Sequence, residues 1–180
     1  MDSKASFNLD DHISKTPGFP KPGITFYDIS PALEQADILK QTIDALTDIS
    51  APLAPDIIAG IDARGFLFAM PLALSLSCGS VMIRKSGKLP GEVYEESYAL
   101  EYGEATLSVQ ASRALKGKRI LLADDLLATG GTLVASANLI IQAGGIVAGA
   151  ACLIELTGLK GRARLEEINC PVVSLQTYEF

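Results

Sequence analysis

The sequence predicts an α/β fold built on a parallel sheet with helices on both faces. Three observations carry this expectation. Short apolar runs alternate with segments of helix length between residues 56 and 156. The runs are apolar throughout, as in strands covered on both faces. One of them passes through a short loop of small residues straight into a helix, the connection of a βαβ unit. With 180 residues, 48% hydrophobic and 20% charged, the chain suits a single domain, 1–180, with a sizeable core.

The elements follow in order. Residues 1–17 are polar and weakly periodic, with one short helix expected around Asp10–Ser14. In Phe19-Pro20-Lys21-Pro22-Gly23, two prolines and a glycine exclude a regular helix. Residues 36–49 bring Ile38, Leu39, Thr42, Ile43, Leu46 and Ile49 onto one face, which predicts an amphipathic helix. Asp56–Ile61 predicts a buried strand, Phe66–Ser77 a helix, and Ser80–Ile83 a second strand. Lys118–Ala123 predicts a third strand, Leu133–Ala143 a helix ended by Gly144-Gly145, and Gly145–Leu156 a fourth strand. Residues 85–110 interrupt the alternation with a polar, glycine-punctuated loop and then a hairpin, SYALEY followed by EATLSVQ. A loop this long in a compact domain is functional or mobile.

Composition narrows the function. Acids outnumber bases by 21 to 15, for a formal charge of −6, which argues against a dedicated nucleic-acid binder. The single histidine, His12, excludes a His-rich metal centre and disfavours a Ser-His-Asp triad. Cys78, Cys152 and Cys170 are isolated and odd in number, as expected of buried thiols in a reducing compartment. The first residues carry acids where a signal peptide needs an apolar core. The best apolar run, Phe66–Leu76, falls short of the roughly 20 residues of a membrane span. A cytoplasmic protein without a membrane partner is expected.

The clearest chemical signal lies in residues 119–141. A buried strand is expected to end at Ala123, with Asp124 and Asp125 directly after it. Ala128-Thr129-Gly130-Gly131-Thr132 then leads into a helix. In a parallel sheet, ligands sit outside the carboxyl ends of the strands. Free N–H groups at the helix N-terminus, glycines that let backbone close around an anion, and two threonine hydroxyls suit a phosphate monoester. The acid pair would repel a bare phosphate but accepts hydrogen bonds from vicinal hydroxyls. Ribose 5-phosphate satisfies both. The segment is neither a Walker loop nor a dinucleotide fingerprint.

Other segments are open to two readings on their residues alone. Asp62-Ala63-Arg64-Gly65 follows a strand and precedes a helix; Arg64 is either a surface arginine or a planar fork for diphosphate oxygens. Arg84, Lys85 and Lys88 form either a solvated basic turn or a site for a strongly anionic leaving group. Phe26 either plugs the core or, with Ile24 and Tyr27, offers a stacking face to a base.

Several of these stretches together resemble the type I phosphoribosyltransferases: ADDLLATGGT (123–132), FPKPGITF-x-DISP (19–31), ARGFLF (63–68), RKSGKLPG (84–91), YALEYG (98–103) and ELTGLKGR (155–162). The resemblance covers about residues 19–162. It implies that family's parallel-sheet fold, with an N-terminal base-binding hood in about 1–35 and a flexible lid loop and hairpin in about 85–110. The implied reaction joins adenine to 5-phosphoribosyl 1-diphosphate and releases AMP and diphosphate. By the same resemblance, Ala128, Thr129, Gly130, Gly131 and Thr132 hold the 5′-phosphate, and Asp124 and Asp125 the ribose hydroxyls. Ala63, Arg64, Arg84, Lys85 and Lys88 face diphosphate, Ile24, Phe26 and Tyr27 face adenine, and Glu101 manages the base proton. Mg²⁺ is expected to arrive with the diphosphate substrate, with no metal cage in the protein, and a homodimer is the expected working unit. The chain departs from the family at Tyr27, where arginine is usual; Asp28 is retained. Two rival readings are the same fold acting on hypoxanthine, guanine or xanthine, and a non-catalytic regulator that senses phosphoribosyl diphosphate.

Overall fold

The computed structural model describes residues 7–99, 103–111 and 115–179. The chain divides into two compact units, Met1–Ala45 and Leu46–Phe180.

The first unit holds a 3-10 turn at Leu9–His12, a hairpin of β1 (Ser14–Pro17) and β2 (Thr25–Asp28), and α1 (Ser30–Glu34). The turn falls where the short helix was expected. The proline-bounded loop closes the hairpin through Gly18 N–H on the Ile24 carbonyl at 2.7 Å. The Phe26 ring stands edge-on to Phe19, with centroids 5.5 Å apart. Asp28 accepts from both the backbone N–H (2.9 Å) and the hydroxyl (2.6 Å) of Ser30, an Asx turn that starts α1. The amphipathic helix expected over 36–49 is α2 (Ala36–Ser50), which crosses the boundary between the units.

The second unit contains a seven-stranded sheet in the order β5-β6-β4-β3-β7-β8-β9. Its parallel part is β3 (Ile57–Ile61), β4 (Gly79–Lys85), β7 (Arg119–Leu127), β8 (Ile146–Leu156) and β9 (Val172–Tyr178). The hairpin of β5 (Val93–Ala99) and β6 (Glu104–Gln110) adds antiparallel to β4. β3 leads through α3 (Gly65–Ser75) to β4 on one side, and β7 leads through α4 (Gly131–Gln142) to β8 on the other. The right-handed rule for parallel crossovers, applied to two connections that run in opposite directions along the sheet, places α3 and α4 on opposite faces. β3 and β7 are neighbours from which the chain departs in opposite directions, so the sheet has its topological switch point between them. The fold class expected from the alternation is the one observed.

Two boundaries differ in an informative way. The strand expected to end at Ala123 runs on to Leu127, because β8 is long enough to keep pairing: Leu126 lies opposite Ile154 and Leu127 opposite Glu155. The acid pair therefore belongs to the strand rather than following it. The tail, for which the sequence suggested no element, forms α5 (Gly161–Glu166) and the edge strand β9. The expected cap after α4 is present: Gly144 has φ +78°, and Gly144 and Gly145 donate to the Ile141 and Ile140 carbonyls.

The core of the second unit is aliphatic, with Ile61, Ile83, Leu107, Ile120, Leu122, Leu139 and Ile140 among its buried members. Glu155 brings a charged group in beside it. Glu155 on β8 is 3% exposed and takes two hydrogen bonds from Arg162 of α5. Ser174 of β9 donates to the same carboxylate at 2.8 Å, and Arg162 also reaches the Val172 carbonyl at 2.7 Å. This cluster fastens β8, α5 and β9 together. Arg162 holds the Glu155 carboxyl below its usual range, the effect of its hydrogen bonds exceeding the opposing effect of burial. A depressed acid stabilises the fold above its unfolded pKa and loses that contribution as pH falls.

Arg162→Leu strands a buried carboxylate and should cost about 3–5 kcal/mol. In denaturant titrations the deficit should be full at neutral pH and shrink below about pH 4, where Glu155 is protonated in the unfolded chain.

Candidate functional site

β7 outruns its neighbour. Its pairing with β3 stops at Ala123 opposite Gly60, while β3 itself ends at Ile61. Residues 124–127 therefore have β8 on one side and open space on the other. That space is a cavity of about 440 Å³. The turn after β3 walls it with Asp62, Ala63 and Arg64, and residues 128–133 form its floor. Asp124, Asp125, Lys85 and Tyr98 complete the lining.

Close backbone approaches shape the floor. Gly130 has φ +80°, and a Cβ there would lie 2.9 Å from the Gly161 carbonyl oxygen. A Cβ on Gly161 would in turn lie 2.2 Å from the Ala128 oxygen. Both positions require glycine for lack of room, Gly130 also for its left-handed backbone. Arg164 of α5 donates from Nη1 to the Thr129 carbonyl at 3.1 Å. The loop is thus held from below by α5 while α4 starts from it. On the other wall, a Cβ on Gly65 would lie 2.4 Å from the Ala123 oxygen, so glycine lets α3 begin directly against β7.

The charges pair across the cavity. Arg64 Nε lies 2.7 Å from Asp125 Oδ2, with Asp125 almost buried and Arg64 half-exposed. Arg84 Nε lies 2.9 Å from Asp62 Oδ2, and its guanidinium sits over the Phe66 ring at 5.7 Å. Asp124 accepts from the Asp125 backbone N–H at 2.9 Å. Burial pushes the Asp124 carboxyl well above its usual range, and the neighbouring Asp125 charge adds to the push. An arrangement of one anchored carboxylate beside one that readily holds a proton suits the recognition of adjacent hydroxyls.

The structure brings together Ala63, Arg64, Lys85, Asp124, Asp125 and residues 128–132, expected from three separate stretches. Arg84 is turned to Asp62, and neither it nor Lys88 lines the cavity. Ile24, Phe26 and Tyr27 lie half-buried in the first unit, at and beside β2. Glu101 lies outside the described residues. In the expected lid, Glu95 accepts from Ser86 at 2.6 Å, and Glu96 accepts from both Asn138 and Gln142 of α4 at 2.8 Å. Asp62 and Tyr98 were missed as cavity residues, and Gly161 and Arg164 as its support. Gly161 lies in the ELTGLKGR stretch of the family resemblance, while nothing in the sequence pointed to Arg164.

No group of three or more His, Cys, Asp or Glu able to hold a metal ion occurs among the described residues. All three cysteines are free thiols. Burial raises the Cys152 thiol far above its usual range and the Cys170 thiol to about 11, so neither is a nucleophile. No helix among the described residues is long and apolar enough to cross a membrane.

Residues 30–180 match the family model of the phosphoribosyl transferase domain. An adenine phosphoribosyltransferase of Rhodospirillum rubrum is 52% identical over 172 residues, 96% of this chain and 99% of that protein. One from Gluconacetobacter diazotrophicus is 50% identical over 97% of this chain and 98% of its own length. Among solved structures, adenine phosphoribosyltransferase from Thermoanaerobacter pseudethanolicus superposes with TM-score 0.89 at 43% identity, covering 94% of this chain and 98% of that one. The Saccharomyces cerevisiae enzyme, solved with an imino-altritol bisphosphate and adenine, gives 0.86 at 36% identity over 93% and 96%.

An acid whose pKa is raised by folding is a burden on the fold once it ionises, so stability declines as pH rises from about 4 through the folded value. Asp124→Asn keeps the Oδ1 acceptor and removes that burden. It should raise the melting temperature of the free protein near pH 7.5 by about 2–4 °C, roughly 1 kcal/mol in a domain of this size.

Proposed function

The chain belongs to the phosphoribosyl transferase family, and on that premise we propose how its residues make AMP and diphosphate from adenine and 5-phosphoribosyl 1-diphosphate. The cavity at the switch point carries the reading: it is lined both by a glycine-rich loop at the start of α4 and by an acid pair, as a sugar phosphate would need. Residues 128–132 take the 5′-phosphate on backbone N–H groups and the Thr129 hydroxyl, the Thr132 hydroxyl being given to Tyr98. Asp124 and Asp125 take the ribose hydroxyls and leave negative charge beside the carbon that becomes electron-poor as its bond to diphosphate breaks.

Arg64 and Lys85 supply positive charge on the leaving-group side. Arg64 has guanidinium N–H groups beyond the Nε that Asp125 engages, so it can hold Asp125 and a diphosphate oxygen together. Arg84 and Lys88 add charge nearby, with Arg84 orienting Asp62. Adenine attacks through N9, the glycosidic C–N bond forms as the C–O bond breaks, and the N9 proton leaves to a base. The likeness of the LEYG stretch to the family's assigns that proton to Glu101. Ile24, Phe26 and Tyr27 stack on and read the base. By likeness to the family, movement within the 85–110 segment, in which Glu96 keeps β5 fastened to α4, would exclude the water that would otherwise capture the reacting carbon.

Mg²⁺ suits this site as a companion of the diphosphate, because of the three aspartates that line the cavity Asp125 is tied to Arg64 and Asp62 to Arg84, which leaves few free oxygen donors. Bound with the substrate, it neutralises diphosphate charge. A homodimer is supported by α3, where Leu67, Met70 and Leu74 stand 51%, 56% and 75% exposed at helical spacing. A cytoplasmic setting agrees with the free thiols.

Diphosphate release measured with each purine base in turn tests the substrate. Adenine should support turnover only with Mg²⁺ present, and hypoxanthine, guanine and xanthine should give less than about 1% of that rate; release with hypoxanthine alone would overturn the reading. Glu101→Gln should lower turnover about 100-fold while leaving 5-phosphoribosyl 1-diphosphate binding nearly unchanged. An unaltered rate would remove the proton-transfer role.

A further inference from the structure

We propose that Tyr98 is a ligand of the sugar's 5′-phosphate, a role that the phosphate loop's own sequence does not announce. The inference rests on the reading that residues 128–132 hold that phosphate. Tyr98 lies on β5, far from the loop in sequence, yet it lines the same cavity. Its ring packs on the loop: a Cβ on Gly131 would lie 3.3 Å from Tyr98 Cδ2. Its hydroxyl accepts from Thr132 Oγ1 at 3.2 Å.

The direction of that bond matters. A phenol hydroxyl can accept and donate at once. Thr132 uses the accepting side, and among the described residues no acceptor takes the phenolic hydrogen. A phosphoryl oxygen seated on the N-terminus of α4 is the natural acceptor, being charged and beside Thr132.

The position of Tyr98 is set by its own strand. Glu96 and Tyr98 share one face of β5 by the two-residue period of a strand. Glu96 is clamped by Asn138 and Gln142 at the far end of α4. The strand therefore runs along the helix with Glu96 fixing its position and Tyr98 delivered to the helix start. Glu96 acts as a positioning residue and Tyr98 as the group that touches the anion.

The test compares wild type and Tyr98→Phe, which keeps the ring on Gly131 and removes only the hydroxyl. Calorimetric titration with AMP and with adenosine, the latter by competition where binding is weak, separates phosphate contact from everything else. Tyr98→Phe should weaken AMP about tenfold and leave adenosine within about twofold, with the melting temperature of the free protein unchanged. Equal weakening of both ligands, or none, would overturn the role of Tyr98 while the loop assignment stands. Wild type that fails to prefer AMP over adenosine would overturn both.

Discussion

β7 extends past β3, and every other feature of the site depends on that mismatch. Had the two strands ended together, Asp124 and Asp125 would sit in a continuous ladder with neighbours on both sides. Instead β8 alone supports them, and the side left open becomes the cavity. The turn after β3 borders the same space, so Arg64 meets Asp125 across it. The phosphate loop then begins where β7 finally stops. Sheet topology makes the opening, and local chemistry furnishes it.

Most of the charges around the site are paired with one another. Arg64 pairs with Asp125 and Arg84 with Asp62, and the crowding of Asp124 against Asp125 is the main conflict left within it. A substrate carrying both anionic phosphoryl groups and a diol can satisfy each partner without leaving a buried charge alone. A simple anion or a simple sugar addresses only half of the site. On the proposed function, the binding preference is a property of the pair, and the crowding of Asp124 against Asp125 is a local loss of stability of the kind found at many functional sites.

Much of this was legible in the sequence. The apolar runs and the helices between them located the parallel part of the sheet, because a strand buried on both faces leaves an unbroken apolar signature. The 123–132 stretch located the site, since small residues, glycines and acids occur together there for chemical reasons. Strand β9 and helix α5 were not legible. The helix is short, and its role is to pack backbone against backbone through Gly161, a contact that leaves no pattern in side-chain polarity. Tyr98 and Asp62 were equally silent, because what brings them to the cavity is a hairpin wrapped beside α4 and a turn closed by Arg84, both long-range events. Strand β7 was cut short because two adjacent carboxylates read as a strand end, whereas the length of β8 decided otherwise.

The backbone contact of Gly130 with Gly161 also bears on how this scaffold can be altered. Neither segment has slack to absorb a side chain, and the Glu155–Arg162 pair prevents α5 from backing away. Any redesign aimed at a bulkier sugar substituent would have to change both segments simultaneously, through combinations whose single steps are each damaging. Stepwise selection would stall there, and variation in what the enzyme accepts should instead accumulate at the proposed base-facing residues Ile24, Phe26 and Tyr27, beside which Gly18 and Gly23 have open space.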